Sequence, residues 1–284
     1  MEFTKLQGLG NDFILIDARE LRDMDWARLA HTICDRRFGV GADGLLLLMN
    51  AQSADFRMRM FNPDGSESEA CGNGLRCLVR FIVEYGLSSK DLLSIETMAG
   101  IRQAKLQKQD GIREKIRVNM GNPEFIPSKI PVAVDFDAGD VIDIMLGNYP
   151  LFVDDKFLKL NFVSMGNPHA VLFITEPVRE FPLVAVGPKI EKDALFPQGV
   201  NFEVARILDK DRIEMRVWER GAGETLACGS GACAVAVAAK LLKLVDNTVE
   251  IKLPGGIAEV CWDGKSEVWL TGPAEIVFKG CWLL

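Results

Sequence analysis

The sequence predicts an α/β (α+β) protein of two pseudo-symmetric domains, each a β-sheet curved around a central helix, and three observations carry that reading. The first is a repeated phrase. Ala227-Cys228-Gly229-Ser230-Gly231 restates Ala70-Cys71-Gly72-Asn73-Gly74 at an offset of 157 residues, and Met215-Arg216, Trp218, Glu224 and Thr225 match Met58-Arg59, Phe61, Glu67 and Ser68 at the same offset. Gly10-Asn11 and Gly41-Ala42-Asp43 find counterparts in Gly166-Asn167 and Gly199-Val200-Asn201 within one residue of it. A period this long marks a duplicated domain rather than a solenoid. The second observation is length, since 284 residues suit two domains, each with its own core. The third is the run Gly231 to Ala239, which is apolar throughout. A helix apolar on every side must be buried, here inside a curved sheet. Duplicated domains are expected to face each other across a pseudo-twofold axis, with the active site in the interdomain cleft.

The elements follow in order. Residues 1–7 and 12–18 read as strands around the turn Gly8-Leu9-Gly10-Asn11, with Phe13, Leu15 and Asp17 on one face and Ile14 and Ile16 on the other. Asp25 caps a helix to about Asp35, with Trp26, Leu29, Ala30 and Ile33 at helical spacing and His31 at its surface. Leu45 to Met49 is a buried strand and Phe56 to Phe61 an alternating one, closed by the turn Asn62-Pro63-Asp64-Gly65-Ser66. Cys71 then stands at the start of a helix whose apolar stripe (Leu75, Leu78, Val79, Ile82, Val83) stops at Gly86. Strands near 92–98, 101–108 and 112–119 are separated by turns at Ala99-Gly100 and Asp110-Gly111.

The second half repeats the plan. A strand near 157–164 leads into Ser164-Met165-Gly166-Asn167-Pro168-His169 and the strand Ala170 to Ile174. A helix lies within Phe181 to Ala194, strands run near 200–208 and 211–218, and Cys228 starts the apolar helix, expected to reach about Val245. Three closing strands contain turns at Pro254-Gly255-Gly256 and Asp263-Gly264. The stretch Asn122 to Pro131 reads as a linker. The expected N-terminal domain is 1–125 plus 273–284, carrying Cys71, and the C-terminal domain is 126–272, carrying Cys228.

Composition removes several function classes. Charged residues are 26% and apolar ones 48%, which is globular rather than disordered. A net charge of −7 without a Lys/Arg cluster argues against nucleic acid and anionic membranes as partners. The start lacks the pattern of a signal peptide, and Lys240 interrupts the best apolar run, so a cytoplasmic location is expected. There most of the seven cysteines should be free thiols.

A cysteine at a helix N-terminus meets unpaired amides and the positive end of the dipole, which raise its thiolate fraction. Two such thiols, Cys71 and Cys228, form an acid–base pair. The amides of Gly72, Asn73, Gly74, Gly229, Ser230 and Gly231 can hold a carboxylate, placing an α-carbon between the sulfurs. One thiolate then removes the α-proton from one face while the other thiol protonates the opposite face, and the amides stabilise the enolate-like charge. This inverts a stereocentre with no cofactor.

Other readings of these residues are blander. Cys34, Cys77, Cys233, Cys261 and Cys281 read as small buried hydrophobes. The spacings Cys-x5-Cys and Cys-x4-Cys lack the short chelating pattern of zinc sites, so no metal is expected. No dinucleotide or phosphate-loop fingerprint is present. His169 is either a catalytic helper or an exposed turn residue, and its place in the repeat favours the former. Glu219-Arg220 aligns with Asn62-Pro63, a difference between halves that substrate recognition would require. Glu67 and Glu224 read as recognition or helix-capping groups.

Together these motifs resemble the diaminopimelate epimerase family. The residues that carry the resemblance are Gly8 to Phe13, Phe61 to Ser66 with Cys71 to Gly74, Met165 to His169, and Glu219 to Thr225 with Ala227 to Gly231, spread over nearly the whole chain. The resemblance implies a pyridoxal-phosphate-independent isomerase interconverting LL- and meso-diaminopimelate in lysine and peptidoglycan precursor synthesis, with a curved mixed sheet in each domain. It implies Cys71 and Cys228 as the acid–base thiols, with His169 and Glu219 tuning their protonation. It also implies substrate contacts from Asn11, Asn62, Gly72, Asn73, Asn167, Asn201, Glu219, Arg220, Gly229 and Ser230, and a homodimer. Gly44 departs from the pattern, since some relatives carry a substrate-reaching glutamine there. The alternatives are a proline or hydroxyproline racemase of the same chemistry, against which Arg220 and the asparagines speak by favouring a distal polar centre, and a small-molecule binding protein on the same scaffold.

Overall fold

The computed structural model describes residues 1–22, 24–68, 71–109, 112–133, 149–153 and 156–283. Ala70 and the turn at Asp110-Gly111 lie outside the described residues. The chain divides into two compact units, Met1–Asn119 with Thr271–Leu284, and Met120–Leu270.

In the first unit β1 (Glu2–Gly8) and β2 (Asn11–Asp17) pair antiparallel. Their two-residue connection, Leu9-Gly10, holds both residues at positive φ (58° and 83°), as a tight type I′ hairpin requires. Helix α1 (Trp26–Ile33), capped by Asp25, carries the chain to β3 (Gly44–Met49), which lies parallel to β2. β4 (Phe56–Phe61) returns antiparallel, and α2 (Gly72–Glu84) leads to β5 (Leu92–Thr97), parallel to β4. β6 (Gly100–Gln109) and β7 (Ile112–Gly121) extend the sheet antiparallel.

The second unit repeats this order. After β8 (Tyr149–Val153), β9 (Lys156–Ser164) pairs antiparallel with β10 (Pro168–Phe173), and α3 (Leu183–Glu191) crosses to β11 (Asn201–Asp209), parallel to β10. β12 (Arg212–Glu219) is antiparallel to β11, and the short β13 (Gly223–Thr225) folds back on it. Helix α4 (Gly229–Leu241) then crosses to β14 (Thr248–Leu253), parallel to β12, followed by antiparallel β15 (Gly256–Cys261) and by β16 (Val268–Gly272). β17 (Glu275–Cys281) belongs to the first unit and pairs antiparallel with β1.

Each unit has two helical layers, and alternation along the strands explains why. Ile14, Ile16, Leu45 and Leu47 meet Trp26, Leu29, Ala30 and Ile33 of α1 on one face. The other face meets α2, which lies against β1, β2, β3, β4, β6 and β17. In the second unit α4 lies against β9, β10, β11, β12, β14 and β15, while α3 packs on β11 and β12 with Phe162, Phe202 and Val204 in its core. A helix in contact with six strands of one unit is a helix wrapped by its sheet. Such strands are buried on both faces, and each large apolar side chain removed from water contributes about 1.5–3 kcal/mol.

Helix α4 ends at Leu241, short of the expected Val245. Lys243 turns into the left-handed region (φ 59°), its N–H bonds Lys240 O at 3.0 Å, and Leu244 N–H bonds Ala239 O at 2.9 Å, a Schellman ending. Helix α2 ends the same way at Gly86 (φ 60°), with Gly86 and Leu87 N–H bonding Val83 and Ile82 O. The sequence hid the second stop because lysine stands where glycine is usual. No helix among the described residues is long and apolar enough to cross a membrane.

Candidate active site

Both repeated cysteines are the N-cap residues of thirteen-residue helices. Cys71 adopts an extended backbone (φ −138°, ψ 114°) before α2, and its Sγ accepts Gly74 N–H at 3.3 Å. Cys228 does the same before α4 (φ −115°, ψ 115°), accepting Gly231 N–H at 3.3 Å. A cap oxygen usually fills this role; here sulfur does. The sulfur takes the third helical amide, one of those at the head of a helix that lack an intrahelical acceptor.

In the first unit the remaining candidates form a chain. Arg76, wholly buried, donates to Asn73 Oδ1 at 2.7 Å and also to the carbonyls of Gly72 and Pro273. Asn73 donates to Asn11 Oδ1 at 3.1 Å, and Asn11 donates to Asp43 Oδ2 at 2.7 Å. Both amides are thereby oriented from below. Asn62 stands apart from this chain, donating to Ser66 Oγ within its own turn. Gly44 is tight: a Cβ there would lie 3.0 Å from Phe61 O.

The second unit assembles more. His169 sits on β10 rather than in a turn, fully buried, with Nδ1 2.6 Å from Glu203 Oε1 and Nε2 2.9 Å from Asn167 Oδ1. Asn167 donates to Ser230 Oγ at 3.3 Å, and Ser230 Oγ lies 3.4 Å from Cys228 Sγ. Glu219 bonds the Thr225 hydroxyl and the Cys228 thiol. Asn201 donates to Pro168 O and accepts Arg220 N–H at 3.0 Å, tying β11 to both flanking turns. His169, Asn167, Ser230, Cys228 and Glu219 are thus one connected group.

Glu203 was missed. It is fully buried on β11 two residues beyond Asn201, and strand alternation puts the two on the same face. That parity was the available signal. Gly231 is glycine for a related reason, because a Cβ there would stand 2.7 Å from Glu203 Oε1.

The electrostatics correct one expectation. Burial, reinforced by the carboxylates of Glu219 and Glu203, pushes the Cys228 thiol well above the ordinary cysteine value, outweighing the bonds from Ser230 and the Gly231 amide. Cys228 is therefore a thiol, not a thiolate. Burial also raises Glu219, against the bonds from Thr225 and Cys228. Glu67 and Glu224 are not caps either: each pairs with the arginine of its own repeat, Arg59 at 2.7 Å and Arg216 at 2.8 Å. Of the other cysteines, Cys34, Cys77 and Cys233 are buried, and burial pushes Cys34 and Cys77 up to about 12. Cys261 is partly exposed and Cys281 exposed, so the latter is no core residue.

A family model described as diaminopimelate epimerase matches residues 3–126 and 161–277. The diaminopimelate epimerase of Halothermothrix orenii is 45% identical over 99% of this chain and 97% of its own, and that of Carboxydothermus hydrogenoformans is 45% identical over the whole of both. Among solved structures, a PhzF-family phenazine biosynthesis protein of Bacillus anthracis (18% identity, TM-score 0.69, 100% and 99% coverage) shares the fold. So does a probable proline racemase of Agrobacterium radiobacter (16%, 0.69, 100% and 93%). With the matched residues spanning both cysteine motifs and the full-length identities this high, the chain belongs to the diaminopimelate epimerase family.

Proposed function

We propose that this chain interconverts LL- and meso-diaminopimelate, a step toward lysine and peptidoglycan precursors, with Cys71 and Cys228 acting on opposite faces of one α-carbon. The observation that carries the reading is the matched capping of α2 and α4 by the two cysteines. Two equivalent sulfurs at two equivalent helix ends suit a reaction whose two faces are nearly equivalent.

Cys228, held as a thiol, supplies a proton, and Cys71 takes the α-proton in the direction that starts from this charge state. The α-carboxylate rests on the amides at the head of α2 and α4, where the dipole also opposes the charge that develops on deprotonation. Asn11 and Asn73, oriented through Arg76 and Asp43, present fixed amides to the substrate. In the second unit Asn167, Asn201, Glu219, Arg220 and Ser230 recognise it, Arg220 suiting the distal carboxylate. His169 and Glu219 set the protonation of Cys228. The active species is a homodimer in the cytoplasm.

The test is chiral chromatography of purified protein incubated with LL-diaminopimelate or with L-proline. Conversion of the first to the meso form and no racemisation of the second is expected. Racemised proline with unchanged diaminopimelate would overturn the reading.

A further inference from the structure

One carboxylate at the end of α3 holds two donors from the end of β12 and the turn beyond it. Glu191 Oε2 accepts the Trp218 indole N–H at 2.7 Å, and Glu191 Oε1 accepts the Gly221 amide at 2.9 Å. Between those two donors stand Glu219 and Arg220. Helix α3 is shaped for this. Gly187 lies four residues before Glu191, hence on the same helical face, and a Cβ there would stand 2.5 Å from Trp218 Cγ. Glycine is a poor residue inside a helix; here it admits the indole whose N–H reaches Glu191. Gly221 takes a left-handed backbone (φ 77°) and Ala222 N–H bonds Glu219 O at 3.1 Å, so the captured amide belongs to a tight turn.

Arg220 is the exposed residue of that turn. Its amide donates to Asn201 Oδ1 at 3.0 Å, and its guanidinium spends one of its donors on Gln198 O at 3.1 Å. The stem runs over Gly199, where a Cβ would lie 3.1 Å from Arg220 Cδ. The first unit holds the equivalent turn differently. Pro63 stands where the repeat places Arg220, and α1 reaches it through a single exposed contact, the His31 ring to Pro63 O at 3.0 Å. Proline fixes its own φ. Arginine does not, so its turn is held from outside.

We propose that Glu191 is a positioning residue for substrate recognition: by holding Trp218 and Gly221 on one carboxylate it fixes the turn that presents Arg220, and so selects substrates with a distal carboxylate. The role in recognition rests on the function proposed above, whereas the clamp itself does not. Glu219, in the same turn, is anchored separately by Thr225 and Cys228. Loss of Glu191 therefore reaches binding rather than proton transfer.

Two measurements test it. In 15N-labelled protein the Trp218 indole signal, assigned by its loss in Trp218→Phe, and the Gly221 amide signal should both move upfield in Glu191→Ala. With LL-diaminopimelate, Glu191→Ala should raise KM about tenfold or more while kcat stays within about threefold, as loss of ground-state binding does. Trp218→Phe, which keeps the ring and loses one of the two bonds, should raise KM less, and it carries the test if Glu191→Ala does not fold. In an Arg220→Met background Glu191→Ala should change kcat/KM by less than about twofold, because both residues act through one contact. A fall in kcat with KM unchanged, an equal loss with and without Arg220, or NMR signals that ignore Glu191→Ala would overturn the proposal. Inactive unmodified protein whose two signals still respond to Glu191→Ala would sink the proposed function and the role in recognition together. An active enzyme whose KM ignores Glu191 would sink this inference alone.

Discussion

Cys71 and Cys228 occupy the same structural position in their separate units: each caps a thirteen-residue helix, and each sulfur accepts the amide of the glycine three residues on at 3.3 Å. That equivalence separates capping from chemistry. Replacement by serine keeps a capping group, whereas alanine removes it at a cost of about 1 kcal/mol. Cys71→Ser and Cys228→Ser should therefore unfold within about 1 kcal/mol of the parent in urea yet lose at least about a hundredfold in kcat, the range for loss of a general acid or base. A serine variant with near-normal turnover would contradict the assignment.

Glu219 bonds the Cys228 thiol and, after burial, is the largest contributor to its raised pKa. Glu219→Gln removes that negative charge, so Cys228 should ionise at lower pH. Thiolate ultraviolet absorbance, followed against pH in a Cys71→Ser background, should shift to lower pH in the double variant. A curve that stays put or moves up would show that Glu219 does not face the sulfur as an anion.

How much of this was legible in the sequence depended on whether a residue announced itself by a repeat. The cysteine caps and the strand from Ala170 were readable because motif, glycine and apolar period coincide there, whereas the Gly-Asn-Pro run made His169 look like a turn residue when it stands on β10. Glu203 and Arg76 were not, since each is a lone charge inside an apolar run, and only the contacts of the folded chain reveal what it bonds. β8 and β13 were missed for another reason: Tyr149–Val153 includes a proline, and Gly223–Thr225 is three residues long, too short for any period. The stop of α4 at Leu241 escaped because Lys243 takes a backbone conformation that its residue type does not advertise.

Asp12 ties Lys5 to Arg36 in the first unit, with Lys5 at 2.6 Å and Arg36 at 2.7 Å. Burial alone would raise its pKa, but hydrogen bonds from Arg36 and Lys5 outweigh this and bring it from 3.8 to about 2. A depressed carboxylate stabilises the fold above its unfolded value, and that stability is lost as pH falls through the folded one. The window is therefore between 3.8 and about 2, and the contribution is about 2 kcal/mol. Urea unfolding across this window should show a slope that Asp12→Asn reduces, with Asp55 and Asp263, also lowered to about 2, supplying part of the rest. An unchanged slope in the variant would refute it.

Arg216 and Glu224 repeat the pairing of Arg59 and Glu67, but Arg216 also donates to the carbonyls of Val178 and Phe181 at 2.9 and 3.0 Å. The ion pair itself, partly exposed, is worth up to about 1 kcal/mol. Losing the arginine removes two further bonds, at about 0.5–1.5 kcal/mol each, from carbonyls that keep a backbone donor, Phe181 N–H at 3.3 Å and Leu183 N–H at 2.8 Å. Chemical denaturation should find Arg216→Met more destabilised than Glu224→Gln, with kcat unchanged in the latter. Equal losses would show that the carbonyl bonds contribute nothing.

If two thiols invert one stereocentre of diaminopimelate, the position of deuterium after turnover in D2O reveals it. Proton NMR and mass spectrometry of the product should find label at one α-carbon only, the inverted one, because the second centre is bound for recognition and never loses its proton. Label at both α-carbons, or inversion without any label from solvent, would contradict the two-thiol account.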